Sequence, residues 1–463
     1  MPTLSPLRLP LPAGDRGDAE AFVAEHFPGL YHQSELHGTG GVRGSDRFRG
    51  GQRAADQALA RFDVEGYAAG RNEVFPQRER STSGLSPYIR HGLLSLRDVW
   101  DQVEGGPEAD VAKFRDELLW QEYARHWYAR LGEATRQSLR QDRDLRGRVP
   151  LASDETPARP FDAVIEPGMA CLELSVEELE DDGWLPNQSR LWLAGHWANR
   201  HHRRWQDGED HLFRRLLDGS RAANRLGWQW AAGTASTQSY RFTRWQVEER
   251  AAGLCATCDL VHACPIEGWP SDPAAQPVEQ SVELRGTDDP GRASGPSRPV
   301  ISGEPDVVWL TAESLGNRDP ALLAHQHLPA VFVFDRPLLS RLQLTPLRLV
   351  FLVETLAELA ETRPVVLYLG RPTDALAHSR PAVTYAPVPG FRRRVGPIAP
   401  AVLHPWPWLC QPNEGSVLSF SEWLKASVPE RRRPLLPPPE ADVVPDPFFP
   451  LPSSTESTKL GLS

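Results

Sequence analysis

No run of 18 consecutive apolar residues occurs in this sequence, so an ordinary membrane-spanning helix is not expected. The opening segment, Met1 to Asp15, alternates proline and leucine and lacks a basic start followed by an apolar centre, which argues against a secretory signal. Cysteine is scarce. The chain has 5, and three of them are clustered, which is not the pattern of a disulfide framework. The expectation is a reducing cytoplasm and a metal or cluster site. An excess of positive charge is also missing: 51 Lys and Arg stand against 61 Asp and Glu, a net charge of −10. Residues 1–270 alone carry 33 basic and 40 acidic residues. A nucleic-acid partner is therefore not favoured by composition, although arginines gather at Arg200, Arg203, Arg204, Arg214, Arg215, Arg221 and Arg225 and leave room for a local patch. Methionine is nearly absent at 2, whereas tryptophan reaches 15. Those indoles read either as large core residues or as groups for stacking and electron transfer.

At 463 residues the chain is too long for one ordinary core, and two domains are expected. Residues 1–49 read as an N-terminal extension and 50–270 as a helical unit. Arg53 to Phe62 and Val111 to Leu131 carry apolar residues at three- and four-residue spacing, and Leu191 to Trp205 and Asp210 to Leu217 continue that character. Almost nothing before residue 270 looks like a strand. Residues 271–304 fill with Pro, Gly, Ser and acidic residues, the composition of a flexible linker. Then the pattern changes. Val307–Leu310, Val331–Phe334 and Val365–Leu369 are short apolar runs, with a helix-like segment Leu347–Leu359 between the last two. Such alternation predicts a parallel sheet covered on both faces, a small Rossmann-like α/β domain over 305–430. The Pro- and Ser-rich tail, 431–463, reads as disordered. No internal repeat is present. The fold class is thus multi-domain, all-helical followed by α/β.

Four segments carry chemistry. Ser81-Thr82-Ser83-Gly84-Leu85-Ser86-Pro87 offers hydroxyls and free backbone N–H groups ahead of a helix, either an anion cradle or a plain cap. In Glu117-Leu118-Leu119-Trp120-Gln121, Glu117 and Gln121 share a helix face with Trp120 beside them. That arrangement suits a pocket for one flat ligand, and equally an ordinary amphipathic helix. Gly183-Trp184-Leu185-Pro186-Asn187-Gln188-Ser189-Arg190 and the run from Leu217-Asp218-Gly219-Ser220 through Asn224 to Gly227-Trp228-Gln229-Trp230-Ala231-Ala232-Gly233-Thr234 are far more distinctive.

In this order the four segments closely resemble the FAD-binding domain of photolyases and cryptochromes, over about residues 50–242. The resemblance implies an all-helical bowl for a U-shaped FAD that absorbs blue light and passes an electron to a pyrimidine dimer. It implies that Tyr67, Thr82, Ser83, Leu85 and Ser86 hold the FAD phosphates. Arg190 and Asp218 match the salt-bridged pair beside the flavin ring, and Asn224 matches the residue facing flavin N5. Glu117, Trp120, Asn187 and Trp230 match the lesion pocket, with Asn187 also near the cofactor. Two departures touch the cofactor: Ser220 replaces a family aspartate, and Gln121 stands where an arginine is usual. The chain of electron-transferring tryptophans is matched by Trp228 and Trp205 only. Glu155 or Thr156 stands at the third position, with Trp127, Trp192 or Trp197 as substitutes.

Cys255-Ala256-Thr257-Cys258 followed by Cys264-Pro265 is a tight thiolate set that suits an iron–sulfur cluster, and zinc also accepts its spacing. Cys171 resembles the isolated fourth ligand of bacterial photolyases that carry a [4Fe-4S] cluster. Cys410 reads as core. Residues 305–430 resemble the photolyase antenna domain, placed after the FAD domain rather than before it; an antenna chromophore is left open. Three readings remain, the first two being repair of DNA containing pyrimidine dimers and a cryptochrome-like photoreceptor acting on a protein partner. A light-independent flavoprotein keeping the fold is a third.

Overall fold

The structure is a computed structural model that describes residues 5–32, 41–143, 161 and 163–427. The expected disordered tail and the third tryptophan position, Glu155 or Thr156, lie outside the described residues.

The helical unit is organised around one 24-residue helix, Glu108–Leu131. Glu108 and Asp110 in its first turn and Arg130 in its last complement the helix dipole. It stops at Gly132, whose φ of 57° is open to glycine at little cost. Phe114, Leu118 and Trp127 recur at helical spacing and are buried, so one stripe faces the core. Glu117, Trp120 and Gln121 fall off that stripe and stay available for a site. Helices Ala170–Asp182, Asn187–Gly195, Trp205–Arg215 and Arg221–Ala231 pack around it or one another. The expected continuous run from Leu191 to Trp205 is interrupted. Helix Asn187–Gly195 passes into a π-helical turn, His196–Arg200, before the chain breaks and restarts at Trp205.

The α/β unit has nine-strand numbering in chain order, with β2 (Gln141–Arg143) and β3 (Ala275–Pro277) forming a small separate ribbon. Its main sheet runs β1 (Leu7–Leu9), β7 (Val365–Gly370), β6 (Ala330–Asp335), β5 (Val307–Leu310), β8 (Pro381–Thr384), β9 (Val402–His404), β4 (Val300–Ile301). The five strands from β7 to β9 are parallel, and their order reverses between β5 and β8, as in doubly wound sheets. Both edges end in a short antiparallel strand, β1 on β7 and β4 on β9. Such short covering strands blunt an edge against further pairing.

Two expectations are corrected here. Residues 1–49 are not merely an extension, because β1 completes the sheet and helix Arg16–His26 packs on helix Pro346–Ala360. Nor is 271–304 simply a flexible linker. It supplies β3, β4 and the helix Pro290–Ser294, and Trp408 Nε1 donates to Ser294 O at 3.2 Å while Tyr385 Oη donates to Ala293 O at 3.0 Å. Its prolines and glycines make turns, and its backbone groups find partners in the sheet.

Helix Pro346–Ala360 ties the two units together. Leu349, Val350, Val353 and Leu356 are fully buried, each contributing about 1.5–3 kcal/mol. Its Glu354 takes Arg16 Nε at 2.8 Å, Arg49 Nη1 at 2.9 Å and Gly50 N at 2.8 Å. On the opposite side of the seam, the fully buried Glu122 accepts through Oε1 from Leu409 N at 2.7 Å and Cys410 N at 3.0 Å. Cys410 is core, packed with Trp423 and Tyr123.

Candidate functional site

Three helices meet at a cavity of about 200 Å³. Glu108–Leu131 contributes Glu117, Trp120 and Gln121; Asn187–Gly195 contributes Asn187 and Arg190; Arg221–Ala231 contributes Asn224 and Trp228. Seven expected site residues, distant in sequence, are thus brought to one space.

Arg190 anchors the floor. Its Nη2 lies 2.7 Å from Asp218 Oδ2 and its Nε donates to Leu185 O at 3.0 Å. Asp218 is almost fully buried, and its Oδ1 has no hydrogen-bond partner among the described residues. The loop that carries Asp218 is gripped through its carbonyls. Arg90 Nε and Arg348 Nη2 each donate to Gly219 O at 2.8 Å, and His91 Nε2 approaches Leu217 O at 3.1 Å. Arg348 belongs to helix Pro346–Ala360 and is wholly buried; burial lowers its affinity for a proton to a pKa of about 9. The α/β unit therefore helps to place the aspartate of the helical unit.

Asn224 is oriented by Glu209. Its Nδ2 donates to Glu209 Oε1 at 2.9 Å and to Glu209 O at 3.1 Å, which leaves Oδ1 to face the cavity as an acceptor. Glu209 is buried among Arg221, at 2.5 Å, and Arg225, at 3.7 Å. Burial pushes its carboxyl above the usual range against the pull of those two arginines. At the other end of the cavity Glu117 is flanked by Lys113 Nζ at 3.0 Å and Arg71 Nε at 3.4 Å. Trp120 stacks on Phe420 of helix Phe420–Ser427.

Not every expected residue reaches this cavity. Trp230 does not line it and packs against Tyr240, ring centroids 5.3 Å apart. Tyr67 and Leu85 are core residues, Tyr67 meeting Phe114 edge to face at 4.9 Å. Ser86 Oγ accepts from Trp184 Nε1 at 2.9 Å, and Ser83 Oγ accepts from Leu85 N at 3.3 Å. Thr82 Oγ1 is buried without a hydrogen-bond partner among the described residues. Ser220 is the N-cap residue of Arg221–Ala231 with no side-chain capping bond. Trp205 and Trp228 are buried in one apolar cluster with Trp197 and Trp192. Trp127 sits in a different cluster.

A second constellation lies apart. Cys171, Cys255, Cys258 and Cys264 line one small apolar pocket with Met169, Val247 and Leu254. All four are thiols, and Cys258 Sγ lies 3.3 Å from Gly168 O. Burial, then the neighbouring Cys255, Cys264 and Cys258, push the Cys171 thiol far up. A buried thiol ringed by three others forms a donor set that a cation would relieve.

Residues 114–251 match a family model described as the FAD binding domain of DNA photolyase. Over these residues, within the helical unit, the chain is similar to that domain. The deoxyribodipyrimidine photo-lyase of Vibrio cholerae is 31% identical over 192 residues, 39% of this chain and 39% of that one. The enzyme of the same name from a Synechococcus species is 28% identical over 194 residues, 40% of this chain and 37% of that one. The chain therefore spans about two-fifths of the length of these curated relatives. Among solved structures, a class III photolyase from Agrobacterium tumefaciens is 25% identical with a TM-score of 0.35, covering 43% of this chain and 42% of that one.

The helical unit has features that fit a flavin dinucleotide. Trp228 Nε1 at the cavity, Asp218 Oδ1 on the partner of Arg190, and Thr82 Oγ1 in the expected phosphate segment are buried polar atoms without hydrogen-bond partners among the described residues. Such orphaned groups are uncommon unless a ligand serves them. Glu209, Arg90, Arg348 and Phe420 were not singled out in the sequence. Glu209 sits in a helix with no motif of its own, and Arg348 and Phe420 act across more than a hundred residues. No helix among the described residues is long and apolar enough to cross a membrane.

Proposed function

We propose that this chain binds FAD between helices Glu108–Leu131, Asn187–Gly195 and Arg221–Ala231 and uses it for light-driven repair of pyrimidine dimers in DNA. The convergence of Glu117, Trp120 and Asn187 with Arg190 and Asn224 on one cavity carries this reading. When bound, reduced FAD supplies the photoexcited electron. Arg190, fixed by Asp218, brings positive charge to a reduced ring without leaving a buried ion unpaired. Asn224 Oδ1 offers an acceptor to a ring N–H. Thr82, with Tyr67, Ser83, Leu85 and Ser86, would hold the phosphates, while Gln121 and Ser220 take places usually held by charged residues. At the mouth, the indole of Trp120 would stack on a flipped base, an interaction worth about 1–3 kcal/mol per base. Glu117 and Asn187 would hydrogen-bond the dimer, and Trp230 would join them only after a rearrangement. Trp228 and Trp205 would relay electrons to the flavin.

Cys171, Cys255, Cys258 and Cys264 would hold a [4Fe-4S] cluster, with zinc the weaker alternative for the same thiols. Iron and sulfide analysis of the purified protein tests this: the Cys258→Ser variant loses both if the assignment is right, and stoichiometric zinc in place of iron overturns it.

One observation favours a photoreceptor instead. One face of the Trp120 indole is covered by Phe420 and closed to a base. The deciding experiment is blue-light repair of dimer-containing single-stranded DNA by the FAD-loaded protein, followed through the recovery of base absorbance. Repair that is lost in Glu117→Ala supports the enzyme. A flavin that photoreduces while the dimer persists supports the photoreceptor.

A further inference from the structure

Close to the cysteine pocket, a third set of groups converges that neither the flavin nor the thiols use. His196 Nε2 lies 3.2 Å from Glu166 Oε2, 3.2 Å from His201 Nε2 and 2.8 Å from Val164 O. The ligand atoms of the two histidines and the glutamate all fall within 4.8 Å of one another. His196 is fully buried, and one nitrogen can carry at most one proton. Val164 O, Glu166 Oε2 and His201 Nε2 therefore crowd a nitrogen that can donate to one acceptor at most. Val164 O makes the shortest approach, and Glu166 Oε2 is buried without a hydrogen bond among the described residues.

The backbone gives an independent reason. In an α-helix, residues five apart point about 140° away from each other. Here the turn His196–Arg200 is π-helical, with His201 N donating to His196 O at 3.2 Å, and the wider turn swings both imidazoles to one side. Single π turns of this kind recur at functional sites. Arg200, in the same turn, holds the other glutamate oxygen, Oε1, at 3.3 Å and donates to Gly268 O at 2.8 Å, which orients Oε2 toward the histidines. That is the outer-shell arrangement usual for a ligating carboxylate.

We propose that Glu166, His196 and His201, with the carbonyl of Val164, bind a divalent cation of the zinc type. Tetrahedral zinc with bonds of about 2.0–2.1 Å sets its ligand atoms about 3.3 Å apart, close to the two 3.2 Å separations. Binding through the Nε2 lone pair requires the His196 proton on Nδ1, which is buried without a hydrogen-bond partner among the described residues. His201 is ready as it stands: burial and then His196 push its pKa down to about 4, so the ring is neutral at pH 7. The ion would clamp the loop ahead of helix Ala170–Asp182, which carries Cys171, onto the π turn.

The test uses the full chain as isolated, with its flavin and cysteine site intact. Zinc is titrated in competition with a chromophoric chelator, and cobalt is substituted for a visible spectrum. The site predicts one tightly held zinc per chain that survives Cys258→Ser. His201→Gln weakens it by more than the 10–100-fold expected of an outer-shell change such as Arg200→Gln, with flavin and iron contents unaltered. Cobalt at this site gives weak d–d bands and no thiolate charge-transfer band. Zinc that is retained in His201→Gln, lost in Cys258→Ser, or not held in wild type overturns the assignment. Glu166→Gln provides a second variant: if His201→Gln fails to fold, zinc binding unchanged in Glu166→Gln is equally fatal.

Discussion

Phe420 lies flat on Trp120, ring centroids 3.5 Å apart and planes 17° from parallel. Trp120 faces the cavity from the longest helix, and Phe420 opens the helix Phe420–Ser427 near the end of the described chain. Tyr123 Oη donates to Val417 O at 3.0 Å and secures the segment just before it. A base seeking that face of the indole would have to displace this ring.

Phe420→Ala should therefore uncover the stacking face. Binding of dimer-containing single-stranded DNA in the dark is expected to strengthen by at least about fivefold, a modest part of the 1–3 kcal/mol that base stacking offers. Fluorescence anisotropy measures it. Affinity that stays the same or falls, in a variant of unchanged helicity, would remove Phe420 as a competitor for Trp120.

Gly208 marks where the tryptophan cluster is tightest. A Cβ added there would stand 2.3 Å from Trp228 Cη2 and 3.0 Å from Trp197 Cδ1. Gly208→Ala is expected to cost about 1–3 kcal/mol of stability, the range for overpacking a dense core, and to shift tryptophan emission. Urea denaturation checks the first and fluorescence the second. An unchanged midpoint would mean that the indoles have room to move.

The pair Glu209–Asn224 should set the flavin's reduction potential. Glu209→Gln removes the charge and gives the new amide a choice of hydrogen-bond partners, so Asn224 Oδ1 is no longer held toward the cavity. A change on the order of 1 kcal/mol, one hydrogen bond, corresponds to roughly 40 mV for one electron. Spectroelectrochemistry of the FAD-loaded variant reads it directly. Identical potentials in wild type and Glu209→Gln would refute a positioning role.

His211 should make the protein acid-sensitive. Its Nδ1 accepts from Arg215 Nη1 at 2.9 Å, and burial, reinforced by Arg215, holds the imidazole far below its ordinary value of 6.5. Below pH 6.5 the unfolded chain binds a proton that the folded one refuses, so stability falls as the pH drops from 7 toward 5. His211→Gln should flatten this slope in urea midpoints measured across that range. A variant with the wild-type slope would assign the acid loss to other groups.

The residues that line the cavity were legible because they stand in short blocks. A carboxylate beside an indole, Asn187 three residues before Arg190, and Asp218 six before Asn224 keep their spacing on helices, where side-chain direction follows from position. Strands β5, β6 and β7 were legible for a similar reason, since a strand buried on both faces is a continuous apolar run. The thiols of Cys255, Cys258 and Cys264 announced themselves by proximity.

Other features leave no local period to read. β1 pairs with β7 across more than 350 residues, and its three residues resemble any proline-flanked segment. Residues 271–304 have a loop's composition and still order, because the sheet edge and Trp408 supply partners that the segment lacks by itself. Trp230 carries a familiar motif, yet its packing on Tyr240 keeps it off the cavity.

By itself, then, the sequence determined the helical and strand-forming segments, the flavin-type residue set and the thiol cluster, since each depends on residues close together in the chain. Only the tertiary structure decided that Arg348 steadies the loop of Asp218, that Phe420 covers Trp120 and that Glu166 meets His196 and His201. Those contacts come from the closure of distant segments, which hydrophobic burial drives without prescribing partners locally.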